Sequence, residues 1–123
     1  MAGFSMETIG LAEVIGKLGV MQAEVIPGAT AAVEGALSDA YDASLPLIPV
    51  ATGYLLSRQQ TRLIGGGTEP TGELYNDAPY SRWVTFGHHT RSGSWVAAQD
   101  FMTGPIEIGR QSLMRRMAEL MVF

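Results

Sequence analysis

The chain has 123 residues, 46% hydrophobic, 8% aromatic and 16% charged, with a net charge of -4, seven methionines and no cysteine. That length fits one domain around one core, and the missing cysteines exclude disulfides, thiolate zinc sites and cysteine nucleophiles. No apolar run approaches the roughly 20 residues that cross a bilayer, and the N-terminus shows neither a secretory pattern nor, with Ala2 before Gly3, a myristoylation pattern, so a soluble intracellular product is expected.

Charge is unevenly placed. Over residues 1–50, Glu7, Glu13, Glu24, Glu34, Asp39 and Asp42 face Lys17 alone, whereas the remainder carries seven arginines against six acids. In a ring of identical copies, such polarity lets the acidic helix of one subunit meet the arginines of the next, giving register more than affinity. The alternative is a solvated acidic helix face, and Asp39 and Asp42, three residues apart, fit that reading better than a catalytic carboxylate pair. Sparse charge and many methionines suit a surface that becomes buried in an assembly.

Phe4 to Ile9 is short and mixed, an edge strand or an arm. Leu11, Val14, Ile15 and Leu18 recur at helical spacing over 10–19, a short helix that Gly19 ends, so 1–28 reads as an arm plus a short helix. From Ala29 the pattern strengthens: Val33, Leu37, Tyr41, Leu45 and Ile48 share a stripe, Ala36 and Ala40 flank it, and Glu34, Ser38 and Asp42 lie opposite. This predicts the main helix from Ala29 to about Leu45, within a 29–48 segment closed by Pro46 and Pro49, packed on a sheet.

Leu55 or Leu56, Arg58, Gln60, Arg62 and Ile64 suggest a strand, polar enough between Ser57 and Arg62 to be an edge. Gly65, Gly66 and Gly67 open a turn that runs to Gly72, and Glu73 to Tyr75 leads back, so 54–76 is expected to be an antiparallel hairpin with a flexible tip. A phosphate loop at the glycines lacks its lysine and hydroxyl pair and its following helix.

Tyr75 to Gly87, YNDAPYSRWVTFG, is the densest stretch. Asn76 and Asp77 predict a side-chain-closed turn, and Pro79 keeps Ala78 extended. The spacing of Tyr80, Trp83 and Phe86 suits one or two helical turns, with the aromatics anchored on the core and Arg82 and Thr85 outward. A polar loop from His88 to Ser94 then returns as a strand at Trp95 to Ala98. Asp100 or Thr103 is positioned to cap a last helix over 105–121 that carries Ile106, Leu113, Met117, Leu120 and Met121 on its inner side. The expected fold is α+β: a long helix and a C-terminal helix on a small, mostly antiparallel sheet with a projecting hairpin.

Three segments, in order, resemble those of a family of tailed-bacteriophage neck proteins: head-tail joining, tail-completion and tail-terminator-like proteins. Pro49 to Ser57, PVATGYLLS, is similar to the family's segment between long helix and first strand. Tyr75 to Gly87 resembles its strand, Asn, Pro/Ala-Tyr-Ala and Phe-Gly signature, and Phe101 to Pro105 stands where the family opens its final helix. Thr85 replaces the usual acid before Phe86, and Asp100-Phe101 replaces a Pro-Phe pair, so no contact of that acid carries over. The likeness covers the chain from about Gly10 onward.

The resemblance implies a structural, non-catalytic virion protein, assembled in the host cytoplasm. It implies a ring of six copies between the head connector, or stopper, and the tail-tube protein. DNA passes through the lumen with only weak contacts, and neither cofactor, metal nor membrane is involved. On this reading the subunit and partner contacts fall on Arg58, Arg62, Gly65, Gly66, Gly67, Tyr80, Trp83, Phe86, His88, His89 and Arg91, with Tyr54 beside them and Arg58 and Arg62 as channel-facing candidates.

Two other classes compete. His88, His89 and Asp100 are the side chains a small metal-dependent hydrolase would use, although no third ligand sits at a spacing typical of such sites. Ser92 and Ser94 with His89 lack the strained turn and oxyanion donors of a nucleophilic serine. A stand-alone regulatory or toxin-like binding domain is the third. For nucleic acid, Arg110, Arg115 and Arg116 cluster on the last helix and Arg58 and Arg62 on one strand face, but pairing with acids of a neighbouring subunit accounts for them better in an acidic chain.

Overall fold

The computed structural model describes residues 4–10, 13–14, 28–49, 53–64, 70–79, 81–89 and 92–120, with 4–8, 82 and 88 described by backbone alone. Strand β1 (Phe4–Gly10) comes first, followed by helix α1 (Ala29–Ser44), which runs into a 3-10 turn (Leu45–Leu47). A single turn α2 (Tyr54–Ser57) leads into β2 (Gln59–Ile64) and β3 (Thr71–Asn76). The chain ends with α3 (Ser81–Phe86), the short strands β4 (His88–His89) and β5 (Trp95–Val96), and α4 (Thr103–Leu120).

The main sheet has the order β1-β3-β2 and is antiparallel throughout, so Phe4 to Gly10 is an edge strand. A bulge lies between Ser5 and Glu7, and β2 pairs with β3 in register from Gln59 with Asn76 to Ile64 with Thr71. Helices α1 and α4 pack on each other and on this sheet, which makes the fold α+β.

The core lies between the two helices and one sheet face. Ala29, Ala32, Val33, Ala36, Leu37 and Ala40 of α1 are buried with Ile9 and Leu74 of the sheet and Ile106, Leu113 and Met117 of α4, while Glu34, Ser38 and Asp42 stay outside. The helices come close because the seam is made of small residues. A Cβ at Gly109 would sit 2.5 Å from Ile9 Cδ1, 3.0 Å from Ala40 Cβ and 3.2 Å from the Ala36 carbonyl oxygen. Helix α4 begins at Thr103, earlier than Pro105, because Asp100 Oδ1 accepts from the Met102 and Thr103 amides at 2.8 and 3.0 Å. Pro105 therefore falls in the first turn, where its missing N–H costs nothing. Leu120, expected on the inner stripe, is exposed.

Two local expectations are overturned. The strand expected from Leu55 starts only at Gln59, because Tyr54–Ser57 coils into a turn that buries Leu55 and closes on Ser57 Oγ donating to the Tyr54 carbonyl at 2.6 Å. In α3 the faces are reversed: Thr85 is 3% exposed, whereas Trp83 and Phe86 are 60% and 55% exposed. The inner hydroxyls satisfy themselves on nearby backbone, Thr85 Oγ1 donating to the Ser81 carbonyl at 2.8 Å and Ser81 Oγ to that of Ala78 at 2.9 Å, so this polar face enters the interior at little cost.

Candidate functional site

Two surfaces leave the body: the outer face of the sheet and the arm that follows β3. Asn76 fixes where both begin. Its Oδ1 accepts from the Ala78 amide at 3.0 Å, closing the turn, and its Nδ2 donates to the Leu55 carbonyl at 2.8 Å and to Gln59 Oε1 at 3.0 Å. Gln59 Nε2 in turn donates to Ser44 Oγ at 3.0 Å. This buried, mutually satisfied set ties the end of α1 to α2, β2 and β3 and so holds the root of α3.

The outer sheet face is a polar ladder. Arg58 pairs with Asp77 and Arg62 with Glu73, and Arg62 lies 4.8 Å over the Tyr75 ring. Tyr75 Oη donates to Gln60 Oε1 at 2.8 Å, and Gln60 Nε2 donates to Asp77 Oδ2 at 3.3 Å. The bidentate hydrogen bonds of Arg58 hold the Asp77 carboxyl below its usual range and raise the Arg58 guanidinium. Both channel-facing candidates are thus neutralised within their own chain.

One acid of α1, Asp39, is likewise engaged at home. Asp39 Oδ2 accepts from Ser112 Oγ and, at 3.2 Å, from Arg116 of α4, so it is paired across the helix seam while still partly exposed, whereas Asp42 is exposed. The Ser112 hydrogen bond is the main reason its carboxyl lies below the usual range; Arg116 adds to this, against an opposing effect of burial. Arg110 lies 3.4 Å from Glu13 and 3.8 Å from Glu107. Of these pairs only Asp39 with Arg116 joins α1 to α4; Glu107 pairs with Arg110 along α4 itself.

From Ser81 to Asp100 the chain runs as an arm. Trp83 and Phe86 lie three apart on α3, Gly87 turns at φ 81°, and the Trp95 indole covers Gly87, whose Cβ would stand 2.7 Å from Trp95 Cζ2. Strand β5 returns against β4, pairing Trp95 with His89 and Val96 with His88, and the Gln99 amide donates to the Val84 carbonyl at 2.8 Å. The His89 ring meets that of Trp95 edge-on, with centroids 5.0 Å apart. Trp95 remains 58% exposed, and every residue from Ser92 to Asp100 is exposed.

Of the residues singled out in the sequence, the structure brings Trp83, Phe86 and His89 into this arm, and places Arg58 and Arg62 on the sheet face with Tyr54 exposed in the preceding turn. Gly65, Gly66, Gly67, Tyr80 and Arg91 lie outside the described residues, as do the side chains of Arg82 and His88 and most of the expected 10–19 helix. Asp100 is committed to the amides that open α4. Burial raises its pKa, but the hydrogen bonds from Thr103 and Met102 outweigh this and leave it low. Among the described residues no three metal-binding side chains gather, and no helix is long and apolar enough to cross a membrane. Val96, Leu63 and Ile64 are not among the contact residues expected from the sequence and prove exposed; β-branched and leucine residues at the end of an edge strand are the available signal. No family model, curated protein or solved structure matches this chain.

Proposed function

We propose that this chain is a structural protein of the head-tail junction of a tailed bacteriophage, standing as a ring of identical copies between the head connector and the tail tube. The observation that carries this reading is the arm: Trp83, Phe86 and Trp95, each more than half exposed, crowd within 13 residues on a firmly built body. Aromatic area of that density is characteristic of surfaces that become covered by protein. The resemblance of three segments, in order, to the neck-protein family suggests the setting, and six copies are what that resemblance implies.

In such a ring the chain catalyses nothing. It completes or terminates the tail, offers the tube a docking face and leaves a lumen. The ladder of Arg58, Asp77, Arg62 and Glu73 suits a wall beside moving DNA, because internally paired arginines present little net charge to phosphate and so do not retard it. The protein then resides in the neck of the virion.

The test is an electron-microscopy map of the intact particle. A ring fitting the α1, α4 and three-strand body at the junction of shell and tail is expected; a junction without it overturns the reading. In solution, light scattering is expected to show rings, or association once tail tube is added, whereas a strict monomer with tube present counts against it.

A further inference from the structure

We infer that Asp77 and Glu73 are masks, whose carboxylates keep Arg58 and Arg62 from gripping the phosphates of duplex DNA. This rests on the reading of the chain as a wall that DNA passes, and it names the two side chains that decide between passage and retention. Arginine suits phosphate especially well, because its planar fork of N–H donors can be filled by two oxygens at once. Arg58 and Arg62 without their acids would set two such forks on one face of the sheet.

In both pairs the acid sits deeper than its arginine. The side chains are 40% exposed for Arg58 against 28% for Asp77, and 49% for Arg62 against 12% for Glu73. The guanidiniums are therefore the outer partners, within reach of a passing phosphate, and the carboxylates cancel their charge from beneath. Asp77 takes Nε and Nη2 of Arg58 together, which fills one edge of the fork and leaves no net charge to draw phosphate to the other. Glu73 does the same for Arg62 through Nη2.

The charge of the acids can be removed without dismantling the ladder. Arg62 is also held by the Tyr75 ring, 4.8 Å below it, and Tyr75 Oη donates to Gln60 Oε1 at 2.8 Å. Gln60 Nε2 donates to Asp77 Oδ2 at 3.3 Å. An amide in place of either carboxylate keeps an oxygen that accepts, so the neighbours stay bonded while the arginine becomes a net cation. Mild acid does not lift the mask at Asp77, because the hydrogen bonds from Arg58 hold its carboxyl below the usual range.

The test is binding of a short fluorescein-labelled DNA duplex to the purified chain, followed by anisotropy over a range of potassium chloride. At low salt, Asp77→Asn/Glu73→Gln is expected to bind on the order of tenfold tighter than the wild type, with log K falling more steeply against log salt by about 1.8, as for two further phosphate contacts. Asp77→Asn alone, at the more exposed acid, should give about threefold and half that change in slope. Adding Arg58→Gln and Arg62→Gln should return the double variant to wild-type binding. Asp42→Asn/Glu119→Gln, which removes two charges from exposed helix positions, should leave binding unchanged. No gain in Asp77→Asn and in the double variant overturns the mask, and so does a fall, which would make the acids supports for phosphate-binding arginines. An equal gain in the helix control overturns it as well, since net charge alone would then account for binding. Failure here leaves the junction reading standing, whereas a particle map lacking the protein at the junction removes that reading whatever the duplex does.

Discussion

The body of this molecule buries a continuous core of large side chains, whereas the arm from Ser81 to Asp100 leaves its three largest aromatics, Trp83, Phe86 and Trp95, more than half exposed. In the body, Ile9, Val33, Leu74, Ile106, Leu113 and Met117 are completely or almost completely buried, and polar groups cross between elements in satisfied sets around Asn76 and Asp39. In the arm, Trp95 covers a glycine and remains largely exposed, and hydrogen bonds such as Gln99 to Val84 tie the return close to its root. Stability is thus concentrated where the arm is not, and the arm's surface can be altered with little effect on the fold. A protein whose task is to hold partners gains from that separation: the contacts that specify the partner do not also have to hold the core.

The separation is broken most severely at Asn76. Asn76→Ala removes the acceptor of the Ala78 amide and the donor to the Leu55 carbonyl and Gln59, leaving several buried groups unmatched. With about 1 to 3 kcal/mol per unmatched group and partial relaxation, urea denaturation should show a loss of about 3 to 5 kcal/mol. A loss under about 1 kcal/mol would mean that the body is not pinned there. Gly109→Val is next. Its side chain meets Ile9, Ala40 and the Ala36 carbonyl at once, and the helices must part; a loss of about 2 to 3 kcal/mol is expected, with the transition still cooperative.

The body was also the more legible region in the sequence, and for the same physical reason. Long amphipathic helices bury a stripe with a fixed period, so the stripe from Val33 to Ile48 located α1, and Ile106, Leu113 and Met117 located α4. A single turn has no period, so the pattern from Leu55 suggests a strand where Tyr54–Ser57 is helical. The turn role of Asn76 is local and readable, since its Oδ1 closes on Ala78, but its Nδ2 bonds to Leu55 and Gln59 exist only after the hairpin folds. The crowd of aromatics after Tyr75 was visible, yet their exposure was not. Hydrophobicity assigned Trp83 and Phe86 to the core, whereas hydroxyls bonded to their own turn allowed Ser81 and Thr85 to take that side. Arginine and acid positions are likewise plain, but which of them pair depends on the register of β2 on β3, which sets Arg62 beside Glu73, and on the approach of α1 and α4, which sets Arg116 beside Asp39.

Asp39→Asn sharpens the comparison by testing a polar pin on the helix seam. Its carboxyl lies below the ordinary value of 3.8 because Ser112 donates to it and, to a lesser degree, because Arg116 stands beside it. A depressed carboxyl contributes stability that is complete above its unfolded pKa and lost as the pH falls through the lowered folded value. The wild type should therefore lose stability on acidification below about pH 4 more steeply than Asp39→Asn. At neutral pH the substitution should cost about 1 kcal/mol, since Asp39 and Arg116 are both more than a third exposed and their attraction is screened. Equal slopes on acidification would remove Asp39 as a determinant of the seam.

The smallest effect on the body is expected from the largest disturbance of the arm. At Gly87, φ is 81°, and an added Cβ would stand 2.7 Å from the Trp95 ring, 2.9 Å from the Val96 carbonyl oxygen and 3.0 Å from the Ala98 amide. Gly87→Ala therefore cannot keep both its backbone conformation and the return of β5. Because the return from Ser92 to Asp100 is exposed throughout and passes little strain onward, the cost should be met locally by opening the hairpin. Hydrogen exchange at the Gln99 amide, which bonds to Val84, should quicken, and tryptophan emission should shift. The urea transition of the body should move by only a few tenths of a kcal/mol, as for surface changes remote from a core. If Gly87→Ala instead removes about 2 kcal/mol or more, the arm belongs to the same cooperative unit as α1 and α4, and its exposed aromatics must be explained together with the fold that carries them.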